Sequence, residues 1–239
     1  FIISRKRTSL ILICFLIGIS VYSYQGIKTG TQERVEETIE EATATPVSGK
    51  VVVLDAGHGT PDEGAQSSKG TTEAETNLKI ALKVQNLLEQ SGCTVILTRS
   101  DEKAIYDLDK TTLKEKKISD IRNRVKIGNS ASADMFVSIH LNKIPQQQYW
   151  GWQCFYSSKS EESMKLAKIL QSSLNEAIQK DNKRVAMKLD TVYIMKHVEI
   201  PISIVECGFL SNPEEEQQLL DDEYQDKLAW GIYNGIIEY

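Results

Sequence analysis

The sequence predicts an α/β domain with three layers, in which a twisted and mostly parallel sheet lies between helices. Short apolar runs typical of buried strands alternate with longer stretches whose apolar residues recur every three or four positions. The chain has 239 residues, enough for one such domain with a substantial core and a leader in front of it. We therefore expect helices on both faces of a single sheet and functional residues at one of its edges.

The predicted strands and helices alternate along residues 50–239. The strands are short apolar runs, and they lie at 51–54, 95–98, 135–139, 153–156, 192–195 and 202–205. The helices each bury one apolar stripe, and they lie at 78–88, 118–129, 162–178 and from about residue 224 onward. The charged segment 101–117 has no clear period and is predicted to be a surface loop.

The front of the chain has the pattern of an export signal. Arg5, Lys6 and Arg7 precede a mostly apolar run at 10–24. This run is short for a membrane span but long for a signal core, so residues 1–25 are predicted to be a cleaved signal or an uncleaved anchor. Residues 26–49 follow as an acidic linker. The domain at 50–239 is therefore predicted to act outside the cytoplasm, anchored or secreted.

Charge and cysteine usage argue against several classes of protein. The net charge is −5 and no basic cluster lies in the domain, which argues against a nucleic-acid partner. Cys93, Cys154 and Cys207 lie far apart in apolar surroundings, so they are predicted to be core residues and not a disulfide framework. Cys14 lacks the small residues that precede a lipidated cysteine.

Two of the three histidines follow apolar strands. His58 lies in a glycine-flanked turn after the first strand, and His140 ends the third. Because the carboxyl ends of parallel strands line the ligand crevice, both can converge on one metal ion. A carboxylate just before the first helix, Glu73 or Glu75, is then the expected third ligand. Two imidazoles and one carboxylate are a common ligand set for catalytic zinc, with a fourth position left for water.

Other polar residues are placed near the same edge. Glu206 ends an apolar strand, and it is either a salt-bridged structural residue or a general base beside the metal ion. His197 precedes that strand, and it either reaches the crevice or is a surface or packing residue. Asp55 and Ser138 are placed to hydrogen-bond the two strand-end histidines. The alternative for Ser138 is a serine whose hydroxyl only makes a local hydrogen bond within the sheet.

Several motifs, in order, resemble those of the zinc-dependent N-acetylmuramoyl-L-alanine amidases. They are Leu54-Asp-Ala-Gly-His-Gly59, Glu73-Ala-Glu-Thr-Asn-Leu78, Thr98-Arg99, Arg124 with Asn129, Ala133-Asp-Met-Phe-Val-Ser-Ile-His-Leu-Asn142 and Val205-Glu-Cys-Gly-Phe-Leu-Ser-Asn-Pro213. The resemblance covers nearly all of residues 50–239. It implies His58, Glu73 and His140 as ligands of one zinc ion and Glu206 as the catalytic carboxylate. Ala56 departs from the family, which usually has proline there.

The resemblance also implies a reaction and a setting. The reaction is hydrolysis of the amide between N-acetylmuramic acid and L-alanine in peptidoglycan. The segment 142–156 looks closest to amidases that act on spore cortex peptidoglycan during sporulation. The alternatives are a membrane-tethered domain that binds wall fragments without catalysis, and a zinc peptidase acting on the stem peptide.

Three aromatic residues in this segment are candidates for binding. Tyr149, Trp150 and Trp152 are predicted to contact glycan or a protein partner, with core packing as the alternative for Trp152. Because no wall-binding module follows the domain, we expect the anchor or an accessory protein at the membrane to localise the enzyme.

Overall fold

The computed structural model describes residues 49–239. Its six strands form one sheet: β1 (Val51–Ala56), β2 (Thr94–Leu97), β3 (Met135–Asn142), β4 (Gln153–Tyr156), β5 (Met187–Lys188) and β6 (Ile202–Phe209). Its helices are α1 (Glu73–Gln90), α2 (Leu113–Ser130), α3 (Glu161–Ile178), α4 (Tyr193–His197), α5 (Pro213–Leu220) and α6 (Asp222–Glu238). The predicted leader and linker lie outside the described residues.

The sheet has the strand order β2-β1-β3-β6-β4-β5. Strands β2, β1, β3 and β6 are parallel, whereas β4 pairs antiparallel with β6 and parallel with β5. The prediction of a mostly parallel α/β sheet is therefore confirmed. The carboxyl ends of β1, β3 and β6 lie side by side at one edge of the sheet, and the amino end of β4 lies at that same edge.

Two apolar clusters cover the two faces of the sheet, as predicted for three layers. On one face, α1, α3 and α6 pack with residues such as Ile80, Leu170 and Ile232. On the other face, α2 and α4 pack with residues such as Val125 and Ile194. Cys93, Cys154 and Cys207 are buried in the first cluster, which agrees with their predicted role in the core.

The structure corrects two predicted elements and adds a helix that was not predicted. The predicted strand at 192–195 is wrong: these residues begin the short helix α4, whose Ile194 and Met195 are buried. Part of the predicted loop at 101–117 is helical, because Thr112 and Glu115 form a reciprocal cap that starts α2 at Leu113. Helix α5 was not predicted, although Asn212 caps it and a proline occupies its first turn.

No helix within residues 49–239 is long and apolar enough to span a membrane.

Candidate functional site

A crevice of about 300 Å³ opens at the carboxyl ends of β1, β3 and β6. Helix α2 and the segment leading into α4 form its sides. One part of its lining is polar and includes His58, His140 and Glu206, and the other part is apolar and includes Leu189, Val192 and Ile204. The crevice therefore combines groups that can do acid–base or metal chemistry with a surface that excludes water.

The turn after β1 brings the first histidine into this crevice. His58 has a φ of 62°, in the left-handed region that residues other than glycine seldom adopt. A side chain is not tolerated at the preceding residue, since a Cβ on Gly57 would lie 2.3 Å from the ring of His140. The two imidazoles consequently come within 5.0 Å of each other, measured between ring centroids.

The first residue of α1 supplies a carboxylate between the two rings. Thr72 caps this helix, so that Glu73 is its first residue and is buried. Glu73 Oε1 lies 3.3 Å from His58 Nε2 and 2.8 Å from His140 Nδ1. Ligand atoms around a four-coordinate zinc ion stand roughly 3.4 Å apart. These three side chains, whose ligand atoms all lie within 4.8 Å of one another, could therefore hold a metal ion.

The other candidate carboxylate points away. Glu75 is exposed and pairs with Lys79 at 2.6 Å on the surface of α1. Residues two apart on a helix lie on nearly opposite sides, so only one of the two acidic residues can face the histidines. The structure thus brings Glu73, and not Glu75, to His58 and His140.

The electrostatics of this cluster favour a positive charge at its centre. Burial by itself lowers the pKa of His58, but hydrogen bonds with Asp62 and Glu73 raise it to about 9. Burial acts in the opposite sense on Glu73, and the two histidines hold its pKa well below the usual range. A metal cation at the centre would take over the role of the proton, so the donor set suits such an ion.

Glu206 is the second carboxylate in the crevice. It lies opposite His140 in the β3–β6 pairing. Its Oε2 atom is buried and has no hydrogen-bond partner among residues 49–239. Burial, opposed by His140 and reinforced by Glu73, raises the pKa of Glu206 to about 7. A carboxylate with this pKa can both accept and return a proton near neutral pH.

Asp62 is a site residue that the sequence analysis missed. Its Oδ2 lies 3.2 Å from His58 Nδ1, on the side of the ring opposite Glu73. Its Oδ1 is 2.8 Å from the ammonium of Lys117, which belongs to α2. Histidine ligands of metals commonly donate a hydrogen bond from the N–H of their second ring nitrogen to a carboxylate, which fixes the orientation of the ring and its tautomer. The sequence signal that could have indicated this contact is an acidic residue four positions after the histidine of the turn.

Asp55 and Arg124 form a buried network beneath the turn. Asp55 accepts hydrogen bonds from Arg124 and Thr98, both at 2.6 Å, and from Ser138 at 2.5 Å. Arg124 also donates to the backbone carbonyl of His58. Neither Asp55 nor Ser138 hydrogen-bonds a histidine side chain, so the predicted contacts are wrong, and the alternative of a locally satisfied serine describes Ser138. Ser138 donates to Asp55, and Asp55 holds Arg124, which in turn donates to the backbone carbonyls of the turn.

The acid sensitivity of this network is testable. Burial raises the pKa of Asp55, but Arg124, His140 and the two hydroxyls lower it from 3.8 to about 2. Its stabilising contribution is therefore complete above pH 4 and is lost as the pH falls toward 2. We expect the difference in unfolding free energy between wild type and Asp55→Asn to shrink by about 1 kcal/mol from pH 6 to pH 3. Urea unfolding at both pH values measures this; an equal difference at both would contradict the assignment.

His197 does not reach the crevice. Its ring stacks on Tyr193 at 3.9 Å, and its Nδ1 lies 2.8 Å from the carbonyl oxygen of the same residue. It lines a separate cavity with Ser157 and Ile202, at the amino end of β6. The alternative of a packing or surface residue therefore describes His197, since the crevice lies at the other end of that strand.

The three predicted aromatic residues separate into different environments. Trp152 is fully buried and donates its indole N–H to Asn175 Oδ1 at 2.8 Å, so it is a core residue. Trp150 is half-buried with the ammonium of Lys180 4.2 Å from its ring centre. Tyr149 is 45% exposed.

Comparison with known proteins places the chain among one group of enzymes. Residues 52–238 match the model of the N-acetylmuramoyl-L-alanine amidase family. A germination-specific N-acetylmuramoyl-L-alanine amidase from Bacillus subtilis (strain 168) is 39% identical over 194 residues, which are 81% of each chain.

Solved structures agree with the sequence comparison. The CwlD amidase from Clostridioides difficile, in complex with the GerS lipoprotein, is 42% identical with a TM-score of 0.77, covering 80% of this chain and 98% of that one. The catalytic domain of CwlV, an amidase from Bacillus (Paenibacillus) polymyxa var. colistinus, is 33% identical with a TM-score of 0.68, covering 80% and 97%.

Proposed function

The chain belongs to the N-acetylmuramoyl-L-alanine amidase family, and from this premise we propose that His58, Glu73 and His140 hold one zinc ion in its crevice. The enzyme hydrolyses the amide between N-acetylmuramic acid and L-alanine in peptidoglycan. Glu206 is proposed as its catalytic carboxylate. The observation that carries the assignment is the convergence of Glu73 Oε1 on both imidazoles, with Glu206 beside His140.

The proposed mechanism divides the work between the metal and the protein. Zinc, when bound, supplies Lewis acidity that polarises the scissile carbonyl and makes water a stronger nucleophile. Glu206 accepts a proton from the attacking water and delivers it to the leaving amine of L-alanine. Its raised pKa suits both steps. The apolar side of the crevice, with Leu189 and Val192, excludes bulk water from the reacting groups.

Asp62 is proposed to orient His58 toward the metal. Asp62→Ala removes the acceptor for His58 Nδ1 and frees the ring to turn, so zinc affinity should fall by about 10- to 100-fold. Competition with a chromophoric chelator measures the affinity. The matched control is Glu63→Ala, which removes the neighbouring carboxylate. That carboxylate contacts Thr60 and neither histidine of the site. Equal zinc affinity in the two variants would show that Asp62 does not position the ligand.

His197 is expected to have no part in the reaction. The substitution His197→Ala removes a ring that contacts Tyr193 at the far end of β6. Release of stem peptides from purified peptidoglycan should therefore stay within about twofold of the wild-type rate, since isolated surface changes have small effects. A loss of tenfold or more would place His197 in the catalytic machinery.

The setting of the enzyme is also proposed. The germination-specific relative and the similarity to CwlD support action on spore cortex peptidoglycan, outside the cytoplasm. Because that CwlD structure contains a lipoprotein, we propose that an accessory protein at the membrane assists this chain as well. Residues 50–239 are the proposed catalytic domain, preceded by a leader or anchor at 1–25 and an acidic linker at 26–49.

The test of this function is product analysis by mass spectrometry after digestion of purified peptidoglycan. The amidase frees peptides that begin with L-alanine and leaves the lactyl carboxylate on the glycan. Products cleaved further along the stem would indicate a peptidase instead. Absence of any product from the zinc-loaded chain would favour a binding domain without catalysis.

A further inference from the structure

A second cavity, of about 290 Å³, opens near the start of β4, and the proposed mechanism does not use it. Tyr149 and Trp150 lie on one part of its lining, and Asn182 and Arg184 on another. Asp181 and Lys183 also line it and pair with each other at 2.6 Å. The cavity therefore combines aromatic rings, an amide and a guanidinium, which together resemble a site for a polar, anionic ligand.

Arg184 is held firmly in this cavity. It is half-buried, its Nε donates to the carbonyl of Trp150 at 3.1 Å, and its Nη1 donates to Gln153 Oε1 at 3.2 Å. Its guanidinium carbon lies 4.6 Å from the ring centre of Phe209. Both acceptors are uncharged, and stacking on an aromatic ring further restricts the guanidinium. The side chain is thus oriented before any ligand binds.

Arg184 makes no direct ion pair within the part of the chain that the structure describes, although its charge acts on the buried carboxylate of Glu215 at longer range. No carboxylate of residues 49–239 lies within ion-pairing distance of it, and no hydrogen bond from its Nη2 is formed there. Half-buried arginines are usually paired with carboxylates, because removing a charge from water is unfavourable. Arg184 therefore has one donor edge left for an external anion.

The β4–β6 pairing connects this cavity to the catalytic edge. Gln153, which accepts the hydrogen bond from Arg184, lies directly opposite Glu206. Paired strands are about 5 Å apart, and opposite residues of an antiparallel pair extend on the same face of the sheet. Phe209, the ring beneath the guanidinium, follows Glu206 by three residues on β6. A substrate whose scissile amide lies at Glu206 therefore has neighbouring groups within reach of Arg184.

We propose that Arg184 binds a free carboxylate of the stem peptide of the substrate. This inference rests on the proposed amidase function. The amine side of the scissile bond continues into a peptide, which ends in a carboxylate and carries more wherever it has acidic residues. N-acetylated sugars offer no such group unless they carry an acid substituent. An oriented guanidinium recognises a carboxylate by charge-assisted hydrogen bonds. Tyr149 and Trp150 then cover the apolar parts of the same peptide.

The experiment compares two forms of one peptidoglycan preparation, using the zinc-loaded full chain. One form is untreated, and in the other the carboxylates are converted to N-methylamides with a carbodiimide and methylamine. The initial rate of release of L-alanine amino termini is measured at low substrate. We expect the wild type to be about 10- to 100-fold faster on the untreated form, as for loss of a hydrogen bond between charged groups.

The substitution Arg184→Met should abolish this preference by slowing the reaction on the untreated form. Arg184→Lys, which retains charge without the planar fork, should retain part of it. The matched control is Lys188→Met, which removes an exposed charge from the neighbouring strand β5 and should keep the full preference. These outcomes separate a specific contact from a general effect of net charge.

Two results would overturn the proposal. One is a wild type that processes both forms at equal rates, and the other is Arg184→Met with the wild-type preference intact. Either result leaves the amidase assignment standing, because L-alanine termini are still released from untreated peptidoglycan. Release from neither form would instead overturn the proposed function, and this inference with it.

Discussion

Replacing Glu206 by glutamine should lower the rate of amide hydrolysis by about 10²- to 10⁴-fold, the range for loss of a general acid–base group. The amide cannot take the proton from water, although it fills the same space beside His140. Zinc affinity should change little, since Glu206 is not among the three clustered ligand residues. The rate of release of stem peptides and the zinc content of the purified protein measure the two effects separately.

The same substitution should not lower the stability of the fold. Glu206 Oε2 is buried without a hydrogen-bond partner in residues 49–239, so loss of its charge removes an unfavourable term. We therefore expect an unchanged or higher midpoint of thermal unfolding for Glu206→Gln. Glu199→Gln, at an exposed position before β6, serves as control and should alter neither property. Activity of Glu206→Gln within threefold of wild type would require a different proton acceptor.

Replacing Arg124 by methionine should destabilise the fold by about 3–5 kcal/mol, the usual effect of breaking a buried ion pair. Arg124 is almost fully buried and pairs with both Asp55 and Asp120. Its removal leaves Asp55 buried without its cation, and it also removes the donor to the backbone of His58. The free energy of unfolding from urea denaturation measures the loss.

A neighbouring arginine provides the control for this prediction. Arg122 lies on the exposed side of the same helix, so Arg122→Met removes the same charge without affecting the buried network. It should change the unfolding free energy by no more than about 0.5 kcal/mol. A loss below 1 kcal/mol for Arg124→Met would show that the network does not stabilise the turn.

The sequence predicted the sheet and its functional edge because strand periodicity and strand-end polar residues are local signals. His58, His140 and Glu206 each follow or end an apolar run, and the structure brings all three to one crevice. The sequence pattern alone could not decide whether Glu73 or Glu75 is the third ligand. It depends on which face of α1 meets the sheet, and the residues themselves left both open until the family resemblance favoured Glu73.

Other features depend on tertiary contacts that have no periodic signal. The segment 192–195 is rich in residues that favour strands, yet packing of Ile194 and Met195 against the sheet favours a short helix there. Strand β5 has only two residues, too few for an alternating pattern. Asp62 reaches His58 through the geometry of a tight turn. Lys117, which pairs with Asp62, lies on a helix 55 positions further along the chain.

The central claim is that one zinc ion, held by His58, Glu73 and His140, supports amide hydrolysis in this crevice. Its most direct test is a titration of the chelator-treated full chain with zinc, following the appearance of L-alanine amino termini from peptidoglycan. We expect activity to be absent at first, to rise linearly, and to reach its plateau at one zinc per chain, while His140→Ala shows no such rise. Full activity after chelation, or a plateau unaffected by His140→Ala, would contradict the claim.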